Sequence, residues 1–148
     1  MSRKIKIFQD AFDRIFDALE SGETEIIKEE IENNPNFSVN DYVDEVTYLG
    51  LAIESGNIEL VKLMLKNGAD PDFIFKQKNI SPDVIPPLLV AIDSGSLEMV
   101  KLLVEAGANV NTMLQHDDFA LLIAYEDGHE DIFDYLYPLT SESVKKKL

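Results

Sequence analysis

The sequence contains no cysteine and no tryptophan, and only two histidines occur among its 148 residues. Without cysteine the chain has no disulfide framework, no thiolate metal site and no thiol nucleophile. His116 stands beside Asp117 and Asp118 on a predicted loop, but a stable zinc site needs about three or four convergent ligands. We therefore expect no metal and no cofactor.

Long hydrophobic runs and catalytic motifs are absent too. No stretch approaches the roughly 18 apolar residues that a membrane helix requires. The first residues lack the apolar core of a secretory signal, so we expect a cytoplasmic location and no contact with a membrane. The sequence has no glycine-rich phosphate loop, no nucleophile elbow and no calcium loop. We expect no catalytic residues, with an enzyme that uses dispersed carboxylates as the alternative.

Basic residues are scarce relative to acidic ones, and the formal net charge at pH 7 is −15. Six of the 13 lysines and arginines lie within residues 3–6 and 145–147, so residues 7–144 have seven basic side chains against 28 acidic ones. Such a surface repels nucleic acid and attracts basic proteins. The alternative interpretation is that the charge maintains solubility and discourages self-association. We expect a monomer that does not bind nucleic acid directly.

What the sequence does contain is a unit of 24 residues that occurs twice. Residues 49–72 and 88–111 align with a shift of 39 positions and 11 identities. A short motif within the unit, A-x-[DE]-[SD]-G, recurs four times and ends at Gly22, Gly56, Gly95 and Gly128. These glycines are 34, 39 and 33 residues apart. Repeats of this length indicate stacked supersecondary units that share one core.

Each unit is predicted to form two short antiparallel helices. The first helix ends at the motif glycine, and after Gly56 the apolar residues Ile58, Val61 and Leu65 recur at i, i+3 and i+7, which is one face of a helix. Gly68 then suits the left-handed conformation that ends a helix. Helices of eight or nine residues are marginal in water, so the neighbouring units must hold them in place.

The rest of the chain fits the same plan. Residues 5–20 have apolar side chains at helical spacing, including Ile5 and Phe8, and residues 23–32 are predicted as a second helix whose glutamates, Glu30 among them, point outward. We expect Phe73 and Ile74 to fold back onto neighbouring loops. We assign one domain to residues 1–148: cap and repeat 1 at about 5–40, repeat 2 at 46–72, a long finger at 73–86, repeat 3 at 87–112, and repeat 4 with a C-terminal cap at 118–148.

The duplicated unit resembles the ankyrin repeat. The stretch G-x-x-E-x-V-K-L-L followed by G-A-[DN] is matched closely at residues 56–63 with 68–70, and at 95–103 with 107–109. The family's T-P-L-H-x-A start is matched only in part, because Phe16, Gly50, Leu89 and Leu122 stand in place of its histidine. The resemblance implies an all-α solenoid of stacked helix-turn-helix units, with connecting fingers and terminal capping helices.

The resemblance also implies a binding site. In ankyrin proteins the two residues before the motif glycine end the inner helix and face the concave groove, where partners often bind. Here those positions supply the predicted partner-binding residues Glu20, Glu54, Ser55, Asp93, Ser94, Glu126 and Asp127. An acid occupies the first position in all four repeats, and we call Glu20, Glu54, Asp93 and Glu126 the acidic ladder. Packed helices would place these carboxylates about 10 Å apart.

Two finger acids, Asp117 and Asp118, and three candidate aromatic anchors, Tyr48, Phe119 and Tyr125, complete the predicted site, with a core position as the alternative for Tyr48. We interpret the chain as a non-catalytic protein-binding module whose acidic concave face binds a basic partner. By analogy it resembles inhibitor or immunity proteins that neutralise a toxin or a nucleic-acid-handling enzyme. The alternatives are a general scaffold or adaptor, a structural unit of an oligomer, and a ladder that duplication copied because exposed helix ends require a polar residue.

Overall fold

The computed structural model describes the backbone of residues 3–148 and the side chains from residue 10 onward. The positions of Ile5 and Phe8 on the apolar face of the first helix therefore lie outside the described side chains. The helices are α1 Arg3–Ser21, α2 Thr24–Asn33, α3 Tyr48–Glu54, α4 Ile58–Lys66, α5 Pro87–Asp93, α6 Leu97–Glu105, α7 Ala120–Glu126, α8 Glu130–Leu136 and α9 Glu142–Lys145. The strands are β1 Tyr42–Val43 and β2 Val46–Thr47, and 3₁₀ turns cover Phe73–Lys76, Gln115–Asp117 and Tyr137–Leu139.

Four helical hairpins stack in sequence order, as the repeat pattern predicts. The inner helices α1, α3, α5 and α7 contact one another in a row. The outer helices form a second layer, in which α2 contacts α4 and α6 contacts α8. The two layers make an all-α solenoid, and the predicted fold class is confirmed.

Local signals in the sequence set the helix boundaries. The Thr47 hydroxyl accepts a hydrogen bond from the N–H of Gly50 at 2.9 Å and begins α3. Asn57 does the same for α4, and Ser96 for α6, while Pro87 occupies the first turn of α5. The motif glycines all have positive φ, which lets the chain reverse between the inner and the outer helix.

The core lies between the two layers and runs through all repeats. Outer helices α4 and α6 bury the equivalent triplets Leu60, Val61, Met64 and Met99, Val100, Leu103. Inner helices α3 and α5 bury most of their length, including Ala52 and Ala91, whose small side chains allow close helix packing. Burial of one large aliphatic side chain stabilises the fold by roughly 1.5–3 kcal/mol relative to leaving it exposed. Because neighbouring hairpins provide this burial, each hairpin is stabilised mainly by its neighbours.

The connecting fingers are also paired with one another. Strands β1 and β2 form an antiparallel hairpin, and β2 meets the end of the next finger through a parallel bridge between Val46 and Ile85. The Ile85 N–H donates to the Glu45 carbonyl at 2.7 Å. Within residues 73–86, Ile74 is buried and Phe73 is half-buried, as expected, whereas Phe75 is exposed.

Side chains of asparagine and aspartate connect successive repeats. Each accepts a hydrogen bond from a backbone N–H of the following unit: Asn40 from Asp70 at 2.8 Å, Asp72 from Asn109 at 2.9 Å, and Asn111 from Ser141 at 2.7 Å. A hydrogen bond of this kind contributes about 0.5–1.5 kcal/mol. These bonds join the units although the inner-helix histidine of the ankyrin pattern is missing.

One outward assignment was wrong. Glu30 is buried between α1 and α2, where its carboxylate accepts hydrogen bonds from Asn34 at 2.7 Å and from Arg14 at 3.4 Å. Arg14 also binds Glu29 at 2.7 Å. A helical stripe of glutamates does not reveal which of them has a cation opposite, since Arg14 comes from the preceding helix.

The turn glycines give a direct test of inter-repeat contact. A Cβ at Gly95 would lie 2.9 Å from Cε1 of His129, whereas a Cβ at Gly56 would meet nothing within 4 Å. Both glycines have similar positive φ, +68° and +74°, so the backbone cost of alanine is matched at about 1–2 kcal/mol. We expect Gly95→Ala to lower the free energy of unfolding by about 1 kcal/mol more than Gly56→Ala, because the imidazole must move.

Urea denaturation of both variants measures this difference, and repeating it in a His129→Ala background should abolish it. Equal losses of stability for Gly95→Ala and Gly56→Ala in the wild-type background would show that the His129 ring does not restrict the space beside Gly95.

Candidate functional site

The acidic ladder lies at one end of the inner layer. Glu54, Asp93 and Glu126 are the last residues of α3, α5 and α7, and Glu20 is the next-to-last residue of α1. All four side chains are exposed. Because the inner helices stack in a row, their equivalent ends bring the four carboxylates to one edge of the solenoid. The proposed role of these carboxylates in binding stays a prediction.

The ladder opposes the dipoles of its own helices. A helix C-terminus bears partial negative charge, and a carboxylate there costs about 0.3–1 kcal/mol. None of α1, α3, α5 and α7 has a basic residue in its last turn. The outer helices α4, α6 and α8 follow the favourable pattern, with acids in their first turns. The inner edge is therefore strongly negative at an energetic cost to the fold.

No internal cation offsets this charge among the side chains from residue 10 onward. The salt bridges there join Arg14 to Glu29 and Glu30, Lys62 to Glu59, Lys76 to Asp70, Lys145 to Glu142 and Lys147 to Asp117. None of these includes a ladder residue. The ladder carboxylates thus remain accessible to a cation from outside the described part of the chain.

The residues that follow the ladder acids differ in how they are used. The Ser55 and Ser94 hydroxyls donate to the carbonyls of Ala52 and Ala91 at 2.7 and 2.8 Å. Both carbonyls lie in the last turn of a helix, where no intrahelical partner is left for them, and the Ala91 carbonyl also accepts from the N–H of Ser96 at 3.3 Å. Ser55 is half-buried and Ser94 exposed, while Asp127 is exposed at the equivalent position of the fourth repeat. The two serines therefore have a structural function, which does not require a partner.

The two finger acids lie on a strained turn. His116 and Asp117 have backbone φ angles of 62° and 64°, a conformation that residues other than glycine rarely adopt. Asp117 is exposed, with its carboxylate 3.9 Å from the Lys147 ammonium. Asp118 is half-buried, and its carbonyl accepts from the N–H of Leu114 at 2.8 Å and closes the turn. Strain of this kind is often retained at binding loops.

Two of the three candidate aromatic anchors are buried: Tyr48 lies in the core, as its alternative interpretation has it, and Phe119 is not a surface anchor. Tyr48 is 5% exposed and stacks on Phe37 at 6.0 Å between ring centroids, and Phe119 is fully buried. Tyr48 is the first residue of α3, and Phe119 is the residue before α7. Tyr125 is different, because 67% of its surface is exposed.

A groove that the sequence did not reveal lies between the second and third fingers. It has a volume of about 550 Å³ and an apolar floor that includes Leu89 of α5. Its walls come from residues 73–86 on one side and 112–118 on the other: Phe75, Pro82, Val84, Ile85, Pro86, Met113, Leu114 and Gln115, with Asp83, His116 and Asp118 also lining it. Only the exposed apolar residues of the long finger hinted at it, since stacking alone sets the distance between the fingers.

Burial changes the ionisation of Tyr48. Removal from water, together with the negative charge of Asp41, raises the pKa of Tyr48 from 10.0 to about 12. Burial also raises the pKa of Asp41. The folded protein therefore keeps the Tyr48 phenol protonated at a pH where the unfolded chain releases its proton.

This shift predicts a pH dependence with a definite sign. Because the folded pKa is above the unfolded value, the stability that it contributes is present below pH 10 and is lost as the pH rises from 10 towards 12. We expect the denaturation midpoint of the wild-type protein to fall more steeply across this range than that of Tyr48→Phe, which keeps the ring. Parallel pH slopes for the two proteins would contradict the assignment, and Tyr42→Phe, at an exposed tyrosine, is the matched control.

The ladder has a consequence for stability that can be measured without a partner. We expect Glu54→Gln and Asp93→Asn each to raise the free energy of unfolding by about 0.3–1 kcal/mol at low salt, because each removes a charge that opposes the helix dipole. Glu25→Gln and Glu98→Gln, at exposed acids in the first turns of α2 and α6, should lower it by a similar amount.

Chemical denaturation of the four variants separates this effect from the general relief of negative charge, which all four share. A loss of stability in Glu54→Gln or Asp93→Asn would mean that the ladder carboxylates have a stabilising contact inside the protein.

Neither a metal centre nor a membrane segment is evident in the described part of the chain. Among the side chains described, no group of three or more His, Asp or Glu residues is arranged to hold a metal ion. Similarly, no helix within the described residues is long and apolar enough to cross a bilayer.

Comparison with known families agrees with the repeat architecture. A family model described as ankyrin repeats, in three copies, matches residues 72–147, and a second model, described as ankyrin repeat, matches residues 44–73. No curated protein matches the chain significantly. The family is in general a non-catalytic protein–protein interaction module. The chain, with its stacked helical hairpins and matched repeats, belongs to the ankyrin-repeat family.

Proposed function

We propose that this protein is a non-catalytic binding module whose acidic ladder binds a basic partner protein, and that it inhibits that partner. The observation that carries the proposal is the acidic ladder: four exposed carboxylates at equivalent helix ends, each against its helix dipole. Solubility alone would be served equally well by acids at the helix N-termini, where they stabilise the helix. A cationic partner supplies the compensation that the described side chains do not.

The groove between the fingers supports the proposal by adding an apolar contact. Charge complementarity mainly increases the rate of association and selects the partner, whereas buried apolar anchors provide most of the binding energy. Leu89, Ile85 and Met113 line a cavity of about 550 Å³, and Asp83 and Asp118 also line it. A partner side chain that is apolar and flanked by lysine or arginine suits such a groove.

The charge of the chain favours a particular class of partner. Proteins that handle nucleic acids present basic surfaces to phosphate groups, and a basic toxin of that kind would be attracted to a chain of net charge −15. Covering such a surface would block its substrate. The inhibitory role therefore follows from the same electrostatic complementarity as the binding.

The proposal is tested by neutralising the ladder. The variant Glu20→Gln/Glu54→Gln/Asp93→Asn/Glu126→Gln should bind the partner, captured from the native cell with wild-type protein and then purified, at least about tenfold more weakly. Its binding should also depend less on salt. The matched control Glu25→Gln/Glu32→Gln/Glu98→Gln/Glu105→Gln removes the same number of exposed charges from outer helices and should bind like the wild type.

Equal weakening in both quadruple variants would show that only net charge matters, and unchanged binding in the ladder variant would favour a neutral scaffold. The inhibitory role is measured on the same purified partner. Its activity should fall in proportion to added wild-type protein, and full activity in a saturated complex would refute inhibition.

A further inference from the structure

The last repeat exposes a face that the earlier repeats bury. The residue three positions before the motif glycine is Leu19, Ile53 or Ile92 in the first three repeats. Each is at most 1% exposed, in a repeat whose inner helix contacts that of the next repeat. The equivalent residue of the fourth repeat is Tyr125, which is 67% exposed.

The outer helices repeat this contrast. Five positions after the motif glycine, Ile27, Val61 and Val100 are fully buried, whereas Phe133 is only half-buried. The stacking face of repeat 4 thus presents aromatic rings in the positions where repeats 1–3 have buried aliphatic side chains.

These rings form a short row with a pocket at one end. The Tyr125 and Phe133 ring centroids are 6.0 Å apart with planes at 54°, and Phe133 is 5.6 Å from Tyr137. The pocket beside Tyr125 and Phe133 has a volume of about 330 Å³, and Ala124, Gly128, Glu130 and Asp134 also line it. Two tilted rings and two carboxylates are the chemical features that recognise an organic cation.

The other end of the row already holds a cation from the chain itself. The Lys145 ammonium lies 4.2 Å from the centre of the Tyr137 ring, and it is also 2.8 Å from the carboxylate of Glu142. The Lys145 side chain is mostly buried there, at 13% exposure. A ring and a carboxylate together therefore bind an ammonium group at this end of the protein.

The pocket beside Tyr125 and Phe133 also combines aromatic rings with carboxylates, but no cation of the described residues occupies it. Glu130 and Asp134 are one helical turn apart on α8, an arrangement of like charges that costs about 0.2–0.5 kcal/mol. No salt bridge among residues 10–148 includes either carboxylate. An incoming cation would relieve this repulsion while it packs on the rings.

We propose that the pocket formed by Tyr125, Phe133, Glu130 and Asp134 at the open end of the solenoid binds an arginine side chain of a partner protein. A guanidinium group is planar, so it stacks on an aromatic ring and donates two parallel hydrogen bonds to a carboxylate, which a lysine ammonium cannot do. A second copy of this chain is a poor occupant, because copies of net charge −15 repel each other and the sequence has only two arginines, Arg3 and Arg14. Arg14 is already bound to Glu29 and Glu30.

The site is tested by NMR titration of the ¹⁵N-labelled protein with the peptide acetyl-Gly-Ala-Arg-Ala-Gly-amide. Chemical shift changes should centre on residues 124–134, and Tyr125→Ala should weaken binding about 2- to 30-fold, the range expected for loss of a cation–π contact. Glu130→Gln/Asp134→Asn should weaken it as well. Tyr42→Ala removes another exposed tyrosine and should bind the peptide like the wild type.

Matched peptides with lysine or with neutral citrulline in place of arginine define the chemistry. Weaker binding of both supports the proposal, and citrulline binding equal to arginine overturns it. Shift changes spread over the whole acidic surface and unaltered in Tyr125→Ala would also overturn it, as would a dimer in sedimentation that Tyr125→Ala dissociates.

The arginine-binding pocket is independent of the function proposed for the acidic ladder. The variant Glu20→Gln/Glu54→Gln/Asp93→Asn lacks most of the acidic ladder but keeps the pocket, so it should retain the affinity of the wild type for the arginine peptide. A loss of affinity in this variant would show that the peptide binds to the acidic ladder. That result would overturn the arginine-binding pocket but not the function proposed for the ladder.

Discussion

The packing of each helical hairpin against the next is the interaction on which the structure depends. Helices α3 and α5, of seven residues each, are too short to be stable in water by themselves. Their apolar faces become a core only when the neighbouring repeats cover them, which explains why residues such as Ile53 and Val100 are almost completely buried. Hydrogen bonds from backbone N–H groups to Asn40, Asp72 and Asn111 fix the spacing between successive units.

The same stacking creates the two surfaces to which we assign binding. Equivalent helix ends become neighbours in the row, so an acid repeated once per unit becomes a continuous negative edge. Among the described residues no further hairpin packs on repeat 4, whose exposed face has Tyr125 and Phe133 where the earlier repeats have aliphatic residues. Both surfaces contain features that do not stabilise the fold: carboxylates at helix C-termini and exposed aromatic rings. We propose a partner with cationic side chains for both.

Sequence reasoning succeeded where a residue's environment follows from its own repeat. The helix boundaries around Gly56 and Gly95 and the ankyrin architecture came from periodicity and motif matching, and the structure confirms them. It failed where the environment comes from another segment. Glu30 is buried next to Arg14 of the preceding helix, and Phe37 of the preceding finger stacks on the buried ring of Tyr48. Helical periodicity does not describe fingers.

The sequence by itself determined the repeat, its helices, the excess of acid and the position of one carboxylate per unit, because these are local patterns that the chain repeats. Only the tertiary structure decided which groups meet. It formed the groove between residues 73–86 and 112–118, and it left Tyr125 exposed although its equivalents Ile53 and Ile92 are buried. The physical reason is that exposure depends on whether another hairpin packs on a residue, which is a property of the stack and not of the residue's own helix.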